Sequence, residues 1–406
     1  MGTDAPTTTA VDFDDPGFVA DPYPRLAELR AQDRLLRHEP SGLWLAATHA
    51  QASAVLRDRR LGRIWTDRQP VERFDPFNRL HRNQMMENEP PEHTRMRRLV
   101  SSAFARGHVE RLRPTVQFLA DELLEKLPDG APFDLLAEYA EPLPVAVIAE
   151  LLGVPASDRG LLRAWSGAIV AMYEYDRTAQ TEAAAVRASR EFDGYVRALA
   201  AERRASPAKD LESDLLSDLC AGQLSEDEVV ASAILLLNAG HEASVNVFGN
   251  GIVALLRHPA EQHRVVAGQV PVTTVVEEMI RYDAPLQLFE RTAVEPVEIC
   301  GTAVAAGEKV AVLLGSANRD ERVFAAPDRF DAARDPNPHL GFGAGLHFCL
   351  GAALARMELE VALSSLLQRA PRLRLAAEPP SRGRFVLRGY ASVPVVVERD
   401  GSRSYG

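Results

Sequence analysis

Residues 339–356 read HLGFGAGLHFCLGAALAR, and the fold turns on what Cys349 is for. A lone cysteine is commonly a buried, inert apolar side chain. Cys349 has a different setting. It closes a loop carrying Gly341, Gly343 and Gly345, and it directly precedes a helical pattern over about 350–368. The first backbone N–H groups of that helix would point at the sulfur and favour a thiolate. The glycines let the backbone fold tightly beneath a flat ligand. Zinc is a poor match, because only His347 lies at ligand spacing. A single thiolate in a dry pocket suits haem iron.

The rest of the chain bounds the possibilities. It has 406 residues, 46% of them hydrophobic, enough for one large core. The balance of 46 basic to 57 acidic residues gives −11, which argues against nucleic acid as a partner. Lys occurs only at 126, 209 and 309; the other basic residues are Arg. Cys220, Cys300 and Cys349 are too few and odd in number for a disulfide framework, so a reducing compartment is expected. The N-terminal MGTDAPTTTAVDFDD has no basic or apolar segment of a leader, and no stretch reaches 18 apolar residues. A soluble cytoplasmic protein with no membrane contact is expected.

Along the chain, residues 1–15 read as a flexible tail and 16–406 as one domain. Helical period begins at about 22–32, LLRHEPSGLWLAAT reads as a hairpin turning at Ser41-Gly42, and HAQASAVLRDRRL as a short helix. Residues 62–90 show no period and read as a long ordered loop. From Pro91 to about 267 the pattern is mostly helical, with turns at PDGAPFD, GVPASD and RRASPAKD. Short strands follow over 290–318, then a coil over 319–348. RFVLRGYASVPVVVE, near the end, reads as another strand pair.

One helix stands out. Ser225 and Glu228 form a capping box, and His258-Pro259 stops the helix near Arg257. Such a long apolar helix must cross the interior. NAGHEASV at 238–245 interrupts it with polar and small residues. Ala239 and Ala243, flanked by Gly240 and Ser244, make a shallow notch against which a flat object can lie. The other reading is a close helix crossing.

Residues 342–351, FGAGLHFCLG, resemble the haem-binding loop of cytochrome P450 proteins through Phe342, Gly343, Gly345, His347, Cys349 and Gly351. EEMIR resembles the family's E-x-x-R pair, PDRF its arginine partner and AGHEAS its distal-helix motif. The resemblance spans about 20–398 and is closest to soluble actinobacterial members. It implies a mainly α fold with a small β region. A long central distal helix would lie over haem b (heme, iron-protoporphyrin IX), with the Cys-ligand loop beneath. Cys349 would ligate iron, and Phe342, Gly343 and Gly351 would shape the cradle. PPEHTRMRR and FERTA supply His93, Arg97 and Arg291 as propionate partners beside His347. Glu278, Arg281 and Arg329 would brace the coil under the haem. Gly240, Glu242, Ala243 and Ser244 would form the oxygen-activating segment, with Gly240 loosening or kinking the helix.

The chain departs from the family at Ala243, where threonine is usual and its hydroxyl steers protons. Three repairs are open: Ser244, a water held by Glu242, or a hydroxyl on the substrate. The resemblance implies a monooxygenase that hydroxylates or epoxidises a macrolide or other polyketide with O2. The alternatives are a ring-forming or peroxide-using enzyme, or a haem-thiolate binding or sensing protein. Substrate contacts fall on Met85 and Met86 in the 65–90 loop, Met172, Asn238 with Ala239, Leu286 with Phe289, and Leu387. The chain has no nucleotide loop, so a separate ferredoxin and ferredoxin reductase are the expected electron donors to a monomer. Arg95, Arg98, Arg106 and Arg356 are either its docking patch or scattered solvated charges.

Overall fold

The computed structural model describes residues 7–174, 177–205 and 214–397. The turn expected at RRASPAKD falls largely outside them.

The central helix is Glu226–Leu256. Ser225 accepts from the Glu228 N–H, and the Glu228 side chain returns to the Ser225 N–H, so the capping box starts the helix as expected. Its 31 residues span about 46 Å at 1.5 Å per residue. It packs on Pro142–Leu151, Arg159–Val170, Ala179–Ala205 and Val272–Tyr282, and is buried on nearly every face. Between Val229 and Leu255, only Ala239 and Ala243 are exposed.

The helix is unbroken at Gly240, contrary to the expected kink. A Cβ there would sit 3.5 Å from Ile148, in ordinary contact, so this glycine faces the Pro142–Leu151 helix. The close crossing lies further along. A Cβ on Gly251 would come within 2.4–2.6 Å of Cε, Cγ and Cβ of Met279, so only glycine lets the Val272–Tyr282 helix approach.

The main sheet has six short strands, in the order Thr8–Thr9, Leu36–His38, Trp44–Ala46, Lys309–Leu313, Leu288–Ala293 and Leu61–Gly62. The expected hairpin is present, with Leu36 opposite Leu45. Three expectations change. The tail is packed from residue 7: Thr8 pairs with Arg37, and Val11 and Phe13 are buried. The 62–90 loop contains a helix, Val71–Arg82, that buries Phe74, Phe77, Asn78, Leu80 and His81. Pro76 inside it and its many charges mask that period. Residues 384–397 do not pair with each other. Pro394–Val396 joins Arg374–Leu375 and Phe133–Asp134, while Leu387 bridges Leu286.

Candidate active site

The Cys349 loop is held from several sides. Gly343 and Gly345 both have φ +69, a conformation side chains rarely adopt. A Cβ on Gly345 would also lie 2.3 Å from the Leu56 carbonyl oxygen. The Cys349 N–H donates to the Phe342 carbonyl at 2.9 Å, and the Leu340 N–H to Asn318 Oδ1 at 2.7 Å. The C-terminal helix then runs Ala352–Arg369. Cys349 keeps exposed surface, yet protein surrounds it closely enough to desolvate it, which places the sulfur on the floor of a recess. That burial pushes the thiol pKa up; the Gly351 N–H and the Arg97 and Arg356 guanidiniums oppose it. The Gly351 N–H at the helix cap works towards the thiolate, but the protein alone does not win against desolvation.

Beside the recess lies a set of cations and donors. His93 is 1% exposed, and neither ring nitrogen has a partner. Its ring lies 4.6 Å from that of His347. Burial, with help from His347 and Arg97, lowers the His93 pKa to about 4. Arg97 donates to the Phe348 carbonyl at 2.7 Å. Arg291 is 2% exposed; it donates to the Glu290 carbonyl at 3.0 Å and stacks 4.7 Å from the Phe289 ring centroid. Burial and the neighbouring Arg63 push Arg291 down to about 9. His347 Nε2 lies 2.8 Å from Glu89, a carboxylate that the sequence reading did not place.

These residues fit a flat, dianionic cofactor. Unpaired buried donors are costly unless something accepts from them. His93 supplies an unpaired donor and Arg291 a buried charge for two carboxylates beside a single thiol. Iron-protoporphyrin IX, with two propionates and an iron that takes thiolate, matches that donor set.

The exposed Ala239 and Ala243 mark the notch on the central helix. The four small residues do not share one face. Ser244 instead lines a small cavity with Tyr139, Phe248 and Glu358. Glu358 is 5% exposed, and burial alone raises its carboxyl to about 8. Glu242 turns the other way, with Oε2 3.2 Å from Arg382 and Oε1 3.8 Å from His241 Nδ1. Asn238 is nearly buried, and its Oδ1 has no partner.

Of the expected substrate contacts, Met86, Leu286, Phe289 and Leu387 are half-buried. Met85 and Met172 are buried in the main core cluster and do not present free surface. The 172–174 segment is tied on two sides. Arg68 donates to the Met172 carbonyl at 3.2 Å and His81 Nε2 meets the Tyr173 hydroxyl at 3.1 Å, while the Leu387 N–H donates to Glu174 at 3.1 Å.

The brace differs in one member. Glu278 and Arg281 are fully buried and paired at 2.7 and 2.8 Å. The third charge is Arg334, 3.1 Å from Glu278, and not Arg329. The Arg329 side chain is 65% exposed and reaches Glu261 at 3.5 Å; only its carbonyl joins the brace, accepting from Arg281 and Arg334. Among the expected docking arginines, Arg95 is paired with Glu228 and Arg356 with Glu277, while Arg98 and Arg106 are exposed. Sequence reading also missed Arg382 and Glu358, which carry no local motif.

Comparison with known proteins agrees with this geometry. Residues 168–371 match the family model described as Cytochrome P450. The chain is 39% identical to cytochrome P450 monooxygenase PikC of Streptomyces venezuelae, over 93% of this chain and 91% of that one. It is 39% identical to 6-deoxyerythronolide B hydroxylase of Saccharopolyspora erythraea, over 96% and 99%. Among solved structures, P450BioI in complex with an acyl carrier protein ligated to hexadec-9Z-enoic acid superposes with a TM-score of 0.90. It shares 32% identity over 94% of this chain and all of that one. Among the described residues, no helix is long and apolar enough to cross a membrane.

Proposed function

The chain belongs to the cytochrome P450 family and is a haem b monooxygenase, and from that premise we propose that it oxidises a sizeable polyketide-like natural product, with Cys349 as iron ligand. When bound, the haem supplies the activation of O2. The chain's own residues hold it and shape the space above it. Arg97, His93 and Arg291 hold the carboxylates, and Phe342 and the Gly343–Gly351 loop form the floor.

The observation that carries the reading is the lone exposure of Ala239 and Ala243 along a buried helix, in a fold whose Cys349 also faces a recess. Two methyl groups leave room for O2 and substrate, but neither can donate a proton. Ser244 points into another cavity, and Glu242 is engaged by Arg382. A hydroxyl on the substrate, with ordered water, therefore takes the place of the missing threonine. Asn238, with its unpaired Oδ1, offers a polar contact to an oxygenated substrate. The Ser244–Glu358 cavity supports a second route: Ser244, one residue beyond Ala243, shares that cavity with Glu358, a buried acid that stays protonated at neutral pH.

The names of the relatives support a polyketide or carrier-linked acyl substrate. Electrons come from a separate ferredoxin and ferredoxin reductase, and Arg98 and Arg106 are the exposed charges available to dock it. The test supplies the holoenzyme with ferredoxin, reductase, NADPH and a panel of macrolactones and acyl chains. Products heavier by one oxygen, formed from hydroxylated macrolactones, are the expected result. NADPH oxidation with no organic product from any panel member would sink the substrate reading. Unchanged pigment and turnover in Cys349→Ser would sink the ligand assignment.

A further inference from the structure

Behind the Cys349 loop lies a charged cluster drawn from three elements. Glu277 stands on the Val272–Tyr282 helix, Arg356 on the Ala352–Arg369 helix, and His339 in the coil between them. Arg356 Nε and Nη2 donate to the two Glu277 oxygens at 2.6 and 2.9 Å. His339 Nε2 lies 3.0 Å from the same carboxylate. The fork geometry fixes the guanidinium plane as well as its charge. It sits 4.5 Å from the centroid of the Phe342 ring. The carbonyl of Phe342 accepts the N–H of Cys349 at 2.9 Å. A single aromatic residue thus stands between the Arg356 charge and the cysteine backbone.

We propose that Arg356, held over Phe342 by Glu277, is a positioning residue that sets how strongly Cys349 donates to the haem iron, and so tunes its reduction potential. The inference rests on Cys349 being the iron ligand. The physical reason is short range and low solvent. Arg356 and Cys349 each feel the other's charge in this fold. A positive charge near the sulfur favours the state with one more electron; a negative charge opposes it. Glu277 offsets most of the Arg356 charge while holding it in place. It stays ionised, because Arg356 and His339 overcome its burial and lower its carboxyl to about 2. The electron itself arrives from the external ferredoxin-class donor. Arg356 and Glu277 make or break no bond and exchange no proton in that step.

The balance gives two neighbours opposite signs. In Glu277→Gln the guanidinium is no longer offset, and the reduced state gains. In Arg356→Gln the carboxylate is left in excess, and the oxidised state gains. Each shift is expected to be about tenfold in the ferric–ferrous equilibrium, or about 59 mV for one electron. Arg356→Lys keeps the charge and should stay within about threefold of the parent. Arg187→Gln, an exposed charge on the Ala179–Ala205 helix, is the control for net charge. Spectroelectrochemical titration of the purified holoproteins reads all four without any substrate. Opposite shifts beyond the control support the inference. Shifts of one sign, or none beyond the control, overturn it. If Arg356→Gln takes up no haem, Glu277→Gln decides alone: upward supports, flat or downward overturns. Loss of the thiolate signature in the carbon-monoxide spectrum of the parent protein would instead mark failure of the ligand assignment.

Discussion

In the proposed reading, the methyl group of Ala243 leaves proton delivery to a hydroxyl on the substrate. Because the residue is exposed beside an otherwise buried helix face, a hydroxyl added there would point into the same space. Ala243→Thr should therefore support turnover of substrates lacking the key hydroxyl. The parent should release more peroxide on them, by about tenfold per product, a difference of ~1.4 kcal/mol in partition. Equal product-to-peroxide ratios in both proteins would remove the idea. Glu358 makes a second residue-scale prediction. Its folded pKa, about 8, lies above its ordinary value. Between those two values the folded state holds a proton that the unfolded state has lost. Stability contributed by this group is therefore full at acidic pH and falls as pH rises towards 8, by up to about 1.4 kcal/mol per unit. Glu358→Gln should flatten that slope in denaturation curves taken from pH 5 to 8.

At the scale of elements, two contacts fix the frame around the recess. Gly251 lets the central helix meet Met279 at a distance no side chain permits. Gly251→Ala should cost about 1–3 kcal/mol by overpacking. In combination with Met279→Ala, the total in a urea titration should be less than the sum of the single changes. The coil brace makes a sharper comparison. Arg334 belongs to the buried Glu278 cluster, whereas the Arg329 side chain is largely solvated. Arg334→Ala should cost about 3–5 kcal/mol by leaving part of a buried carboxylate uncompensated. Arg329→Ala should stay within about 0.5 kcal/mol, as exposed substitutions do. The resemblance placed Arg329 in the brace, but Arg334, five residues on, is the side chain that turns inward, and local spacing carries no sign of that. The Val71–Arg82 helix was hidden for a related reason: Pro76 and its charges obscure a buried face that only its packing partners define.

For the whole molecule, charge organises contact with other proteins. The chain is acidic overall, so an acidic partner meets a repulsive background except at exposed cations. Arg95 and Arg356 are occupied by internal carboxylates, so the proposed ferredoxin docking falls to the exposed Arg98 and Arg106. Changing both to Glu should raise the KM for ferredoxin about tenfold at low ionic strength. The effect should shrink as salt screens the encounter. A salt-independent loss, or none, would move the docking surface elsewhere.

What the sequence by itself determined is what contiguous residues can carry: the capped central helix from Ser225, the glycine loop that sets Cys349, the Glu278–Arg281 pair one helical turn apart. These depend on φ, ψ and hydrogen bonds within a few residues, so spacing reveals them. Tertiary structure alone decided which distant groups meet. It brought Arg382 to Glu242 across 140 positions, Arg334 to Glu278, and Ser244 to a cavity away from Ala243. Buried charges take whichever partner the packed chain brings near, and that choice is made by the closing of the core, not by the order of residues.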